Sequence, residues 1–96
     1  FIACAPLLEA IDLTQYLHGV GHVTVGGETG REARMCDYDW VLNIREQCVT
    51  ADVTFWFKNT GSLFKRDGVV EKINPFKQNS VAKELDIDIS DGKRLF

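Results

Sequence analysis

Apolar and polar positions follow two different rhythms along this chain. Phe1 to Ala5 is a short apolar run stopped by Pro6, the pattern of a buried strand ending at a turn. Asp12 offers an N-cap for a short helix, Leu13 to His18, with Gly19 and Gly21 placed to end it. Val23 to Val25 form a second strand. Beyond a glycine-rich loop, Asp37 or Asp39 can cap a helix running to about Ala51. In it Val41, Ile44, Cys48 and Ala51 recur at three- and four-residue steps and make one apolar face. The run "VTFWF", Val53 to Phe57, is continuous, β-branched and aromatic, which suits a strand covered on both faces of a parallel sheet.

Strand, helix and strand at this spacing predict a βαβ unit with a right-handed crossover. Farther on, Asp67-Gly68 lies between two β-prone arms and supplies the positive φ angles of a tight turn, so a hairpin is expected over residues 62–73. Asn74-Pro75 breaks it, residues 77–85 read as a final helix, and the tail after Asp86 is expected to fray. The fold class is α/β, with about three mainly parallel strands in residues 1–61. The small hairpin and C-terminal helix of residues 62–96 are appended to the same domain. A three-stranded slice of this kind leaves sheet edges and faces open. It therefore predicts either self-association or a missing N-terminal partner segment, and an opening on "FIACAPLLEAI" without Met fits a chain cut from a longer protein.

Ninety-six residues make one domain, and 45% hydrophobic with 26% charged residues is ordinary for a soluble globular chain. A formal charge of −3 supplies no basic face for phosphate, which argues against nucleic acid as a partner. No apolar run approaches the ~20 residues of a membrane span. Three cysteines without a C-x-x-C pair, and no signal peptide, fit free thiols in a reducing cytoplasm.

Ligands of α/β sheets gather beyond the carboxyl ends of parallel strands. Here those ends carry Ala5-Pro6, the run Gly26-Gly27-Glu28-Thr29-Gly30-Arg31, and Lys58-Asn59-Thr60-Gly61. The candidate small-molecule site is therefore Gly26, Gly27, Glu28, Arg34, Lys58 and Asn59. The glycines admit the ligand and expose backbone N–H groups, and the side chains supply polar contacts. The same residues also admit a structural reading: Glu28 can pair with Arg31, Arg34 or Lys58 and simply pin the loop. G-G-x-x-G has neither the dinucleotide nor the P-loop spacing. His18 and His22 lack a third ligand at metal spacing. Cys4, Cys48, Trp40 and Trp56 read as core. Cys36, near a helix start, is open to a lowered thiol pKa that Asp37 opposes.

Taken in order, these motifs resemble a known family. The loop Gly26-Gly27-Glu28-Thr29-Gly30, Ala33-Arg34, and Tyr38-Asp39-Trp40 at a helix start are followed by Arg45 and Gln47-Cys48 within that helix. Phe55 to Lys58, Thr60-Gly61, Phe64 and Asp67-Gly68 complete the series. Together they resemble the C-terminal part of a phage-associated bacterial family of unknown function whose full-length members look like radical S-adenosylmethionine proteins. The resemblance implies a partial (β/α) barrel. It also implies S-adenosylmethionine and an iron–sulfur cluster in the full-length protein, bound by a cysteine-rich N-terminal part, with no cofactor in this chain. Ala5 and Asn59 stand where the family usually has Glu and often Gln. The implied function is the substrate-side portion of such a protein, not catalytic on its own, for an unknown substrate. The alternative is a non-catalytic, phage-related protein-interaction module.

Overall fold

The structure, a computed structural model, describes residues 1–90. Strand β1 is Ile2–Cys4, β2 is His22–Gly26, and β4 is Thr54–Asn59; they form one sheet in the order β1-β2-β4, parallel throughout. Val23 lies opposite both Ile2 and Phe55, and Val25 opposite Cys4 and Phe57. This row of side chains turns inward: Val23 and Val25 are fully buried and Phe55 and Phe57 are 1% exposed.

Helix α1, Tyr38–Ala51, covers that face with Val41, Ile44 and Cys48, all buried. Its ends are set locally. Asp37 is the N-cap, its Oδ1 accepting from Asp39 N at 2.9 Å, and Asp52 closes the helix in the left-handed region at φ 58°. Ala51, expected on the apolar face, is exposed because the last turn runs past the sheet. The helix expected over Leu13–His18 contracts to a 3₁₀ turn, Thr14–Tyr16. So short a segment gains too few hydrogen bonds to offset nucleation. Asp12 is drawn into a local turn with Thr14 N and Oγ1 (3.0 and 2.6 Å), and the α1 side chain Gln47 holds the preceding backbone through Leu13 N and Ile11 O.

A second sheet has the order β3-β5-β6. The hairpin is present: β5, Leu63–Arg66, pairs antiparallel with β6, Val69–Lys72, across Asp67 (φ 54°) and Gly68 (φ 79°). Strand β3, Cys36–Asp37, was not anticipated; it pairs parallel with β5 and leads directly into α1. Phe64 of β5 is buried with Phe57 and Tyr38, ring centroids 5.5–6.5 Å apart, and joins the hairpin to the core. Helix α2, Gln78–Glu84, buries Ala82 in the same core.

Three further expectations are corrected. First, "VTFWF" is not covered on both faces: Trp56 is 45% exposed and Thr54 half-buried, because the helical layer lies on one side of the sheet only. Trp56 is therefore not a core residue, whereas Trp40 packs partly buried against the core. Second, the chain beyond Asp86 does not fray at once. Ile87 and Ile89 are buried, Ile89 exchanges two backbone hydrogen bonds with Phe55 (3.0 and 2.8 Å), and Asp88 Oδ1 accepts from Phe57 N at 2.8 Å. This strap covers the outer edge of β4; the remainder of the tail, residues 91–96, lies outside the described residues. Third, the architecture is a small mixed α/β fold with two three-stranded sheets rather than one sheet with an appended hairpin.

Candidate ligand site at the strand ends

Because β2 and β4 run parallel, Gly26 sits opposite Asn59, and the loops that follow leave from the same end of the sheet. They cross at once. Gly27 N donates to both the backbone and side-chain oxygens of Asn59 (3.2 Å each), and Asn59 Oδ1 also accepts from Gly61 N at 2.9 Å. A Cβ on Gly27 would collide with Thr60 O and lie 2.7 Å from Gly61 Cα. Gly61, at φ 76°, is equally confined from the other side, since a Cβ on it would stand 2.8 Å from Gly27 Cα. The free side of Gly27 is thus filled by the neighbouring loop. Gly26 is buried, with Asn59 Nδ2 3.2 Å from where its Cβ would stand.

Glu28 has chosen its partner. Its Oε1 accepts from Arg34 N (2.8 Å) and Arg34 Nε (3.0 Å), and its Oε2 from Arg34 Nη2 (2.8 Å). Such a forked, charge-assisted pair is geometrically demanding. Here it closes the loop 28–34 around an open cleft of about 670 Å³. The hydrogen bonds from Arg34 hold the Glu28 carboxyl at about 2, and the Arg34 pKa is raised in turn. Glu28 and Lys58 share an end of the β2–β4 pair, but the carboxylate is turned to Arg34. Lys58 is exposed and makes no ion pair among the described residues.

Lys58 also belongs to the second face of the first sheet, together with Trp56, Thr54, Thr24 and His22. Thr54 Oγ1 donates to Gly21 O (2.9 Å), so it must accept from His22 Nδ1 (2.6 Å). In the neutral ring Nε2 then accepts from Thr24 Oγ1 at 3.0 Å. Both ring nitrogens are occupied by strand hydroxyls, and among the described residues no group of three His, Cys, Asp or Glu side chains could hold a metal.

The thiols are quiet. Burial, reinforced by Asp37, pushes Cys36 up to about 12, so the lowered pKa open to it from its place near the helix start is not realised. Cys48 is raised to about 11 by burial and then by Cys4, itself raised by burial. All three are free.

Sequence reasoning missed Gln78, which is 2% exposed and ties three segments together. Its Oε1 accepts from Thr29 Oγ1 (2.9 Å), and its Nε2 donates to Ile73 O (3.1 Å) and Ser62 Oγ (3.4 Å). Nothing in its local spacing marks it; only the Asn74-Pro75 break, which sets where α2 can begin, points nearby. The site thus offers an ammonium, a half-exposed indole and a clamped guanidinium whose Nη1 has no hydrogen-bond partner among the described residues.

Among the described residues no helix is long and apolar enough to cross a membrane. Residues 1–93 match the model of a family described as protein of unknown function (DUF5131). No curated protein and no solved structure matches the chain.

Proposed function

The chain belongs to the DUF5131 family, and on that premise we propose that it is the C-terminal, substrate-side portion of a larger, phage-related, radical-SAM-like cytoplasmic protein. One observation carries the reading: three parallel strands with a helical layer on one face and a polar–aromatic second face left open. In a (β/α) barrel the helices lie outside, and ligands meet the loops at the carboxyl ends of the strands. In this reading the sheet is a barrel slice, the face carrying His22, Thr24 and Trp56 looks inward, and the preceding part of the barrel is the partner that covers it. Lys58, Asn59 and Nη1 of Arg34 contact a small-molecule substrate. Glu28 positions Arg34, and Gly26 and Gly27 let the two strand-end loops cross. In this reading the buried thiols of Cys36 and Cys48 are core groups and not cluster ligands. S-adenosylmethionine and an iron–sulfur cluster, which supply one-electron chemistry when bound, therefore belong to the preceding part.

The parent coding sequence should hold a cysteine cluster upstream of Phe1, and the full-length protein should cleave S-adenosylmethionine once reconstituted with iron and sulfide. Lys58→Met in that protein should lower turnover or substrate-induced stabilisation about tenfold, the worth of one charge-assisted hydrogen bond, at unchanged Tm. An upstream sequence without clustered cysteines would remove the enzyme reading.

The second reading is a non-catalytic phage-related interaction module, favoured by the exposure of Phe1 (87%) and Trp56 (45%) and by the unpaired outer edge of β1 among the described residues. It predicts self-association or a protein partner on that face, and loss of association in Trp56→Ala.

A further inference from the structure

Between the glycine loop and the base of the hairpin lies an open groove of about 660 Å³, distinct from the second face of the first sheet. Leu63, Ile73 and Pro75 give it an apolar floor. Of its side-chain polar groups Arg31, Lys72, Ser62 and Asn74 have donors to offer, whereas the Thr29 hydroxyl gives its proton to Gln78 Oε1 (2.9 Å). Arg31 and Lys72 are exposed cations without an ion pair among the described residues. Ser62 Oγ already accepts from Gly30 N (3.0 Å) and Gln78 Nε2 (3.4 Å), so its own proton is left for an acceptor. Asn74 Oδ1 accepts from Phe76 N at 2.9 Å, leaving its NH₂. None of the lining residues is acidic, although the chain as a whole is anionic. Of the nearby carboxylates, Glu28 is held by Arg34 and Glu71 by Arg66 (3.8 Å), while the exposed Glu32, between Arg31 and Ala33, lines the neighbouring cleft and not this groove.

Two cations, a hydroxyl fixed as a donor and an amide NH₂ around an apolar floor are complementary to one chemistry: an anionic head on an apolar body. We propose that this groove binds a small organic anion, a phosphate monoester or a carboxylate, with Arg31 and Lys72 on the head and Leu63, Ile73 and Pro75 under the body. This inference stands apart from the strand-end reading, since neither Lys58 nor the second face takes part.

Phenyl phosphate, benzoate and neutral benzyl alcohol, titrated separately into the protein and followed by amide chemical shifts, test it. At least one of the two anions should give saturable shifts centred on Gly30, Arg31, Ser62 and Ile73, and benzyl alcohol none. Tighter binding of phenyl phosphate assigns the phosphate head, and tighter binding of benzoate the carboxylate. The double variant R31Q/K72Q, altered only at exposed side chains, should keep its Tm and weaken binding about tenfold or more. Absence of saturable shifts with both anions, equal binding of benzyl alcohol, or undiminished binding by the double variant would each overturn the proposal.

Discussion

Strand β4 carries aromatic side chains on both faces, and the two faces have opposite fates. Phe55 and Phe57 are 1% exposed beneath α1, whereas Trp56 between them is 45% exposed on a face shared with His22, Thr24 and Thr54. The chemistry of neighbouring residues in one strand is nearly the same; what differs is whether another layer lies above them. The buried face holds the fold together. The open face, with hydroxyls and imidazole satisfying one another, is available for something outside the described residues.

The sharpest way to break this contrast is to truncate each side in turn. Phe55→Ala should destabilise by about 3–5 kcal/mol through lost burial and an unfilled cavity. Trp56→Ala should stay within about 1 kcal/mol, as a surface substitution does. Urea unfolding of both variants checks this, and equal losses would mean that the second face is covered in the protein as it exists. A smaller effect is expected where the two strand-end loops cross. Gly27→Ala should cost about 1–3 kcal/mol, because the new methyl group meets the Thr60–Gly61 backbone, which cannot move aside as a flexible side chain could. A neutral result in thermal melts would mean that the crossing is looser than its geometry implies.

The smallest effect belongs to the Glu28–Arg34 clamp, and its sign follows from linkage. The Glu28 carboxyl titrates at about 2 when folded against an ordinary 4.5. Its contribution is therefore fully present above about 4.5 and lost as pH falls toward 2. The protection of the Arg34 amide, which donates to Glu28 Oε1, relative to its intrinsic exchange rate at each pH should fall across that window, and E28Q should flatten the response. A carboxyl midpoint near 4.5 by NMR would mean that the pair is open in solution.

Much of the local structure was legible. The capping Asp37, the Val41–Ile44–Cys48 stripe and the Asp67-Gly68 turn each act over a few residues, so spacing alone located α1 and the hairpin. The parallel relation of β2 and β4 was readable too, since a helix between two apolar runs leaves little other choice. Strand β3 was not, because Cys36–Asp37 is two residues long and becomes a strand only when β5 arrives beside it. Nor was the Ile87–Ile89 strap, whose apolar residues are too few to announce a strand without the edge of β4. At the strand ends, three cations were equally available to Glu28 in the sequence. The turn closed by Ala33 N on Gly30 O (3.3 Å) brings Arg34 back to it and leaves Lys58 facing solvent.

By itself, then, the sequence determined where α1 and the hairpin turn begin and end, and which strands are apolar enough to share a sheet. Tertiary structure alone decided which face of that sheet is covered, which cation Glu28 holds, and that Gln78 joins Thr29, Ser62 and Ile73. The physical reason is range. A cap or a turn is settled by groups a few residues apart, and Glu28 and Arg34, only 6 apart, meet because the turn of Ala33 N on Gly30 O folds the loop back. Sheet burial and loop crossing instead bring together segments far apart in the chain, as where Gly27 meets Asn59 at a separation of 32 and Gln78 meets Thr29 at 49. Their meeting is a property of the packed chain, and no local pattern records it.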